Sequence, residues 1–136
     1  MRVYRYMSKE EFSKYLLGMD IVGKSYFSHC NTTSEGVCFL PEIVSFYSDS
    51  IEENVDWTPF QCFSFLKGIV NSDSILVEFN TDANMTNSTG VYADPFTSDW
   101  DSTISVNELC IPAYNRDTFD AVRYCFAGED VWYSIH

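Results

Sequence analysis

The stretch ISVNELCIPAYNRDTFDAVRY, residues 104–124, decides the fold class because it holds two strand patterns close together. Strand-forming and apolar residues dominate it, and they predict one strand over residues 104–111 and a second over residues 119–126. A single carboxylate, Glu108, stands directly before the apolar run at residues 109–112. Two interpretations of Glu108 are open: it lies near the start of a strand, where a charge is tolerated, or it lines a ligand cleft.

Further strands are predicted on both sides of this stretch. The tetrapeptide AGED at residues 127–130 has the composition of a tight turn and leads to a last strand over residues 131–135. Upstream, VYRYM at residues 3–7 and SILVEFN at residues 74–80 are rich in strand formers. GVYADP at residues 90–95 predicts a short strand that ends at Asp-Pro.

One helix is predicted directly after the first strand. Ser8 and Glu11 have the spacing of a capping box, and Gly18 is suited to end the helix. The side chains expected on its buried face are Phe12, Tyr15 and Leu16.

The middle of the chain is less regular. Residues 42–56 are acidic and are expected to be partly helical, and a further helix is predicted over residues 59–68, with Pro59 as its first residue. Residues 81–90 and 96–103 are polar and are expected to be surface loops. The sequence therefore predicts an α+β fold with a mainly antiparallel sheet, an N-terminal helix and one or two further helices, in a single domain over residues 1–136.

The charge of the chain limits its partners. The 136 residues include 20 acids and 8 bases, and Lys67 is the only basic residue between residues 25 and 115. A general nucleic-acid-binding protein needs a basic surface, so direct nucleic-acid binding is not expected. The acidic surface has two interpretations: it is solvated and keeps the protein soluble, which is the commoner case, or it mimics DNA phosphates and occupies a basic cleft on a partner.

Targeting and metal signals are missing from the sequence. No apolar run approaches the length of a membrane span, and the first residues lack the apolar core of a signal peptide, so a cytoplasmic protein is expected. The five cysteines show no C-x-x-C spacing. We therefore expect no metal site and predict that reduced thiols fill the core.

The usual catalytic signatures are also missing, namely a P-loop, a Rossmann glycine pattern and a G-x-S-x-G elbow. Three features remain. Arg5 lies between two tyrosines in the first strand, and its planar guanidinium is suited to bind a phosphate if it lies in a cleft rather than at an exposed edge. The loop around residues 32–34 carries three hydroxyl side chains, and Glu108 is the third feature.

Taken in order, these three features resemble the mono-ADP-ribosyltransferase superfamily. That family carries an arginine in its first strand, often after a tyrosine, then a Ser/Thr-containing strand, and later a glutamate before an apolar segment like LIP. Here the matching segments are VYRY, the Ser/Thr-rich stretch and NELCIPAYNRDTF, of which the last is the most specific. The matches span the chain, although each is short.

The resemblance implies a compact split-sheet fold that clamps NAD in a central cleft. Glu108 is then the catalytic residue that stabilises the positive charge on the ribose. The residues implied in NAD binding are Arg5, Ser34, Thr33, Tyr6 and Tyr26. Arg5 would bind the pyrophosphate or the neighbouring ribose, a hydroxyl of the loop would orient the site, and one of the two tyrosines would stack on nicotinamide.

One departure from the family pattern concerns the acceptor. In the arginine-modifying branch a second acid or amide lies two residues before the catalytic glutamate, and here that position is Val106. An apolar residue cannot activate an arginine, so arginine modification is not expected, and two alternatives are open: another acceptor on a protein or nucleic acid, or no acceptor. The alternative hypothesis is a non-enzymatic acidic inhibitor of a basic nucleic-acid-binding protein, as among phage-encoded inhibitors of host defence, with residues 42–56 and 94–101 as its acidic surface.

Overall fold

A computed structural model describes residues 1–22, 36–40, 44–45, 52–53, 74–93, 103–126 and 129–135. The helix and strands are β1 Arg2–Ser8, α1 Lys9–Leu16, β2 Ile21–Val22, β3 Val37–Phe39, β4 Val44–Ser45, β5 Glu52–Glu53, β6 Ser74–Thr81, β7 Thr86–Ala93, β8 Thr103–Ile111, β9 Ala113–Tyr114, β10 Phe119–Phe126 and β11 Tyr133–Ser134. This part of the chain is mostly antiparallel sheet with one short helix, which confirms the α+β class in its coarse form.

A four-stranded sheet has the order β1-β6-β10-β11 and is antiparallel throughout. The central strand β6 is buried at every position except Asn80. Its near-continuous apolar run fits a strand that is covered on both faces. The strands predicted at residues 3–7, 74–80 and 119–126 are therefore confirmed, and the last strand is shorter than predicted.

A second sheet has the order β3-β8-β7 and is also antiparallel. Among the described residues, one isolated pair links it to β1: Tyr4 and Leu40 exchange two backbone hydrogen bonds, of 2.9 and 2.7 Å. In the described part of the chain, the backbones of the two sheets are hydrogen-bonded to each other at this one residue pair, which we call the sheet junction (Tyr4 and Leu40).

Helix α1 begins and ends as its sequence predicts. The Ser8 hydroxyl accepts a hydrogen bond from the Glu11 backbone N–H at 3.1 Å and caps the first turn. At the other end Gly18 has a φ of +81°, and the Gly18 and Met19 N–H groups donate to the carbonyls of Tyr15 and Lys14. This is the Schellman arrangement, and glycine adopts its left-handed conformation without a steric penalty.

One face of α1 packs into the core, but the prediction for that face was partly wrong. Phe12 and Tyr15 are buried, whereas Leu16 is 45% exposed.

No helix in the described part of the chain is long and apolar enough to cross a membrane.

One prediction for the polar segments was wrong. Residues 86–90, expected in a surface loop, belong to β7, which pairs with β8 along its whole length. Backbone pairing to a neighbouring strand stabilises this segment although its side chains are small and polar. Residues 42–56 were expected to be partly helical; the described pieces β4 and β5 pair as antiparallel strands, and the rest of this segment lies outside the described residues. The helix predicted over residues 59–68 lies outside the described residues.

The core lies between the first sheet and α1 and is largely aromatic. Phe39 stacks on Phe119 with ring centroids 4.7 Å apart, and Phe79 and Tyr114 pack edge-on against this pair. Full burial of one such ring stabilises the fold by about 1.5–3 kcal/mol. These rings come from four separate elements, β3, β6, β9 and β10, and so hold the two sheets together.

Candidate functional site

Alternation along β1 assigns its side chains to two faces of the sheet. Val3 and Met7 belong to the core cluster, so the face of β1 that they share is the one that α1 covers. Arg5 lies between them in the alternation and is on the same face. Tyr4 and Tyr6 point to the other face, and both are also buried.

Arg5 is held in a buried ion pair inside the core. Its guanidinium donates from Nε and Nη2 to the two carboxylate oxygens of Glu11, each at 2.8 Å. Its Nη1 donates to the backbone carbonyl of Cys38 at 2.9 Å, and its Cζ lies 5.8 Å from the centroid of the Phe39 ring. Arg5 is only 6% exposed, and Glu11 is fully buried. This pair joins β1, α1 and β3.

Tyr114 completes the cluster around Arg5. Its hydroxyl donates to the Glu11 carboxylate at 2.6 Å. Burial is the main cause that raises the pKa of Tyr114 well above its ordinary value, and the nearby Glu11 charge adds to it, while Arg5 opposes it. Glu11 thus accepts from an arginine and a tyrosine, as a buried carboxylate requires. The NAD-binding role of Arg5 stays a prediction, and it would require Glu11 to release the guanidinium.

Glu108 lies on the face of the sheets opposite to the one that carries Arg5. It belongs to a row of side chains that crosses both sheets. Tyr4 pairs with Glu78 in β6 and with Leu40 at the sheet junction. The observed register of β3 and β8 ends with Phe39 opposite Leu109, and extending it by one position would align Leu40 with Glu108. Neighbouring strands are about 4.8 Å apart, so the backbones of Tyr4 and Glu108 are separated by roughly 10 Å.

The predicted catalytic carboxylate and the predicted guanidinium therefore do not share a face. Glu108 is only 1% exposed and alternates in phase with Cys110, whereas Leu109 points toward the core side. Arg5 is on the core side. β1 lies two strands away from Glu108, and its side chains that face the same way as Glu108 are the tyrosines beside Arg5.

The other predicted NAD-binding residues divide into two groups. Tyr6 is buried on the face of the sheets that carries Glu108. Tyr26, Thr33 and Ser34 lie outside the described residues. Their predicted roles therefore stay predictions.

A second polar cluster was missed in the sequence. Glu78, fully buried in β6, accepts from Arg2 Nη1 at 3.0 Å and from Arg123 Nε at 3.2 Å. Arg123 in turn lies over the ring of Trp132, with its Cζ 3.9 Å from the ring centroid. A charge inside the apolar run SILVEFN was the available signal, because such a residue needs a partner when the strand is buried.

Tyr4 connects this second cluster to the sheet junction. Burial, followed by the charge of Glu78 and a hydrogen bond to it, raises the pKa of Tyr4 to about 12. The phenol therefore keeps its proton at neutral pH and serves as a hydrogen-bond donor. Two buried carboxylates, Glu78 and Glu108, flank the junction on one face.

The chemistry open to this face is that of a buried carboxylate on a sheet face that also carries the buried side chains of Tyr4 and Tyr6. A buried carboxylate stabilises positive charge that develops close to it, because burial lowers the local dielectric constant.

Among the described residues, no group of three or more His, Cys, Asp or Glu side chains is arranged to hold a metal ion. In comparisons with known proteins, no family model, no curated protein and no solved structure matches the chain.

Proposed function

We propose that the protein is an NAD-dependent mono-ADP-ribosyltransferase in which Glu108 is the catalytic carboxylate. The observation that carries the proposal is the position of Glu108, which is buried beside the sheet junction, on the same face as Tyr4 and Tyr6 and two strands away from β1. The resemblance of the sequence to the mono-ADP-ribosyltransferase superfamily, which implies a split sheet that clamps NAD in a central cleft, also supports the proposal.

The proposed chemistry follows from the charge of the transition state. Breaking the bond between nicotinamide and ribose builds positive charge on the sugar, as in glycoside hydrolysis. The Glu108 carboxylate would stabilise that charge and hold a ribose hydroxyl. Tyr6 supplies a flat aromatic surface on the same face, which is suited to stacking on nicotinamide.

In this proposal Arg5 positions strands instead of binding NAD. Its ion pair with Glu11 and its hydrogen bond to the Cys38 carbonyl support an arrangement in which it positions β1 against β3 at the junction. The roles of Ser34, Thr33 and Tyr26 in NAD binding remain part of the proposal, and so does an acceptor on a protein or nucleic acid. Val106 argues against arginine as that acceptor.

The test is transfer of radioactive label from NAD to protein and nucleic-acid fractions of cell extracts. Glu108→Gln is expected to lower the transfer by roughly 10²-fold or more, because the amide carries no charge to stabilise the ribose cation. Glu10→Gln, which removes a mostly exposed carboxylate, is the matched control and is expected to transfer label as the wild type does. Circular dichroism and thermal unfolding establish that both variants are folded.

The proposal fails if folded wild-type protein does not bind NAD in isothermal titration calorimetry, or if folded Glu108→Gln transfers label at the wild-type rate. If Glu108→Gln unfolds, Glu108→Asp is the second variant. It keeps the charge but moves it by one methylene group, so a folded variant with undiminished transfer would also contradict the proposal.

The alternative proposal is a non-enzymatic acidic protein that blocks a basic nucleic-acid-binding partner. One observation favours it: four basic side chains of the described part are ion-paired with carboxylates of the chain itself, and these are Arg2, Arg5, Lys14 and Arg123. A net charge of −12 then gives a surface with few available cations. Binding to a basic nuclease that weakens steeply with salt, without any NAD binding, would favour this alternative.

A further inference from the structure

Two buried cysteines face each other across the second sheet. Cys38 in β3 and Cys110 in β8 form a directly opposed antiparallel pair. Their Sγ atoms are 2.6 Å apart, and the two residues are 5% and 8% exposed. The sequence predicts reduced thiols that fill the core, and that role does not by itself require two sulfurs to lie so close together.

The backbone geometry of this pair is suited to a disulfide. Directly opposed residues of an antiparallel ladder have Cα atoms about 4.5 or 5.5 Å apart. Both values lie inside the range of about 4.4–6.8 Å that disulfides span. A bond between Cys38 and Cys110 therefore requires no rearrangement of the two strands.

From this geometry we infer that Cys38 and Cys110 are a redox modification site, at which hydrogen peroxide forms a cross-strand disulfide that thiols reduce again. A small oxidant is required because both sulfurs are almost completely buried. The inference goes beyond the proposed function and holds whether or not the protein is an enzyme.

The reaction balances in two steps. One thiol loses its proton and its thiolate attacks peroxide; the O–O bond breaks, the leaving hydroxide takes up that proton, and the products are a sulfenic acid and water. The second thiol attacks the sulfenic sulfur, the S–O bond breaks, an S–S bond forms and a second water leaves. The two sulfurs lose two electrons in total, peroxide gains them, and both thiol protons end in water.

The disulfide would act on the part of the molecule that carries the candidate site. It would fix β3 to β8 two residues from Glu108, at the residue whose carbonyl accepts from Arg5. It would also close a loop between positions separated by 72 residues, and closing a long loop restricts the unfolded chain. Oxidation is therefore expected to raise the melting temperature by on the order of 10 °C.

The experiment treats the wild-type protein with a small molar excess of peroxide, blocks remaining thiols with N-ethylmaleimide and maps the peptides by mass spectrometry without reduction. The expected product is a monomer in which the peptides of Cys38 and Cys110 are linked and two hydrogen atoms are lost. Dithiothreitol is expected to restore both thiols and the original melting temperature.

Three variants complete the test. Cys38→Ser and Cys110→Ser are expected to lose both the linkage and the rise in melting temperature, whereas Cys125→Ser, which changes another buried cysteine, is expected to keep both. Sulfinic or sulfonic acid at either position without a linkage, a linkage mainly through Cys30 or Cys62, or a disulfide-bonded dimer would overturn the inference. If the serine variants of the pair do not fold, the peptide map of the wild type decides alone.

Discussion

Three glutamates are almost completely buried in the described part of the chain, and a buried carboxylate needs partners that replace its lost water. Glu11 and Glu78 each accept from at least one arginine, at distances between 2.8 and 3.2 Å. A buried carboxylate is tolerated when cations and hydrogen-bond donors replace the water that it loses. Glu108 is buried to the same degree beside the sheet junction, and the proposed function assigns it to the ribose of NAD.

Replacement of Glu11 by glutamine tests the buried ion pair of Arg5. The change leaves a guanidinium in the core without its counter-charge, and it is expected to lower the free energy of unfolding by about 3–5 kcal/mol. Urea unfolding followed by tyrosine fluorescence or circular dichroism measures the loss.

Glu10→Gln is the matched control, because Glu10 precedes Glu11 on the same helix but pairs with Lys14 in a largely exposed position. That change is expected to cost at most about 1 kcal/mol. Equal losses for the two variants would show that the Arg5–Glu11 pair does not stabilise the fold.

The sequence singled out Arg5 but assigned it a different partner. Its position between two tyrosines was unusual and drew attention to it. Its pairing with Glu11 depends on how α1 turns back over the core face of β1, and six residues of chain separation do not determine that direction. The sequence pattern indicated that Arg5 is an unusual residue. Only the packing of α1 on β1 identified Glu11 as its partner.

At the scale of the elements, the close approach of β3 and β8 depends on a glycine. Gly36 directly precedes β3, and a Cβ atom on it would lie 2.8 Å from the carbonyl oxygen of Ile111 and 3.2 Å from its carbonyl carbon. Both are backbone atoms of β8, so they cannot swing away as a flexible side chain would. The pairing of β3 with β8 therefore requires a residue without a side chain at position 36.

Gly36→Ala is expected to weaken that pairing and to lower the free energy of unfolding by about 1–3 kcal/mol. Hydrogen exchange is the measurement that locates the effect. Amide protection is expected to fall in β3 and β8, while β1 and β6, which pair in the other sheet, keep theirs. Unchanged protection in β3 would contradict the close contact.

The elements differ in how well composition predicted them. β6, β8 and β10 are rich in β-branched and aromatic residues, and all three lie where the sequence predicts. The first half of β7 was missed because TNSTG resembles a loop by composition, whereas residues 90–93 lie within the strand predicted over residues 90–95. Its strand conformation comes from hydrogen bonding along β8, which is a tertiary contribution that local propensity does not contain.

At the scale of the whole molecule, buried tyrosines link stability to alkaline pH. The pKa of Tyr4 is raised from 10.0 to about 12, and burial also raises the pKa values of Tyr15 and Tyr114. In the unfolded chain these phenols lose their protons near their ordinary pKa, while the folded protein still holds them. Since the folded state binds more protons above pH 10, stability is fully present below that pH and falls as the pH rises.

Tyr4→Phe is expected to make this alkaline loss shallower between pH 10 and about pH 12, because it removes about one proton from the difference between the folded and unfolded states. Urea unfolding at a series of pH values measures the slope. At pH 7 the variant is also expected to lose about 1 kcal/mol, since its ring no longer donates to Glu78. A slope identical to that of the wild type would contradict the raised pKa of Tyr4.

The sequence by itself determined the local structure that depends on neighbouring residues. It specified the strand-forming runs, the Ser8 cap and the Gly18 terminus of α1, because propensity and capping act over a few residues. It also determined the net charge and pointed to Glu108 as an unusual residue.

Only the tertiary structure decided which side chains meet. The two sheets join at Tyr4 and Leu40, Arg5 turns to Glu11 on one face, and Glu108 lies with Tyr4 and Tyr6 on the other. Cys38 meets Cys110 although 72 positions separate them. Strand order and register fix these contacts, and a shift of one residue in the pairing would move each side chain to the opposite face of its sheet.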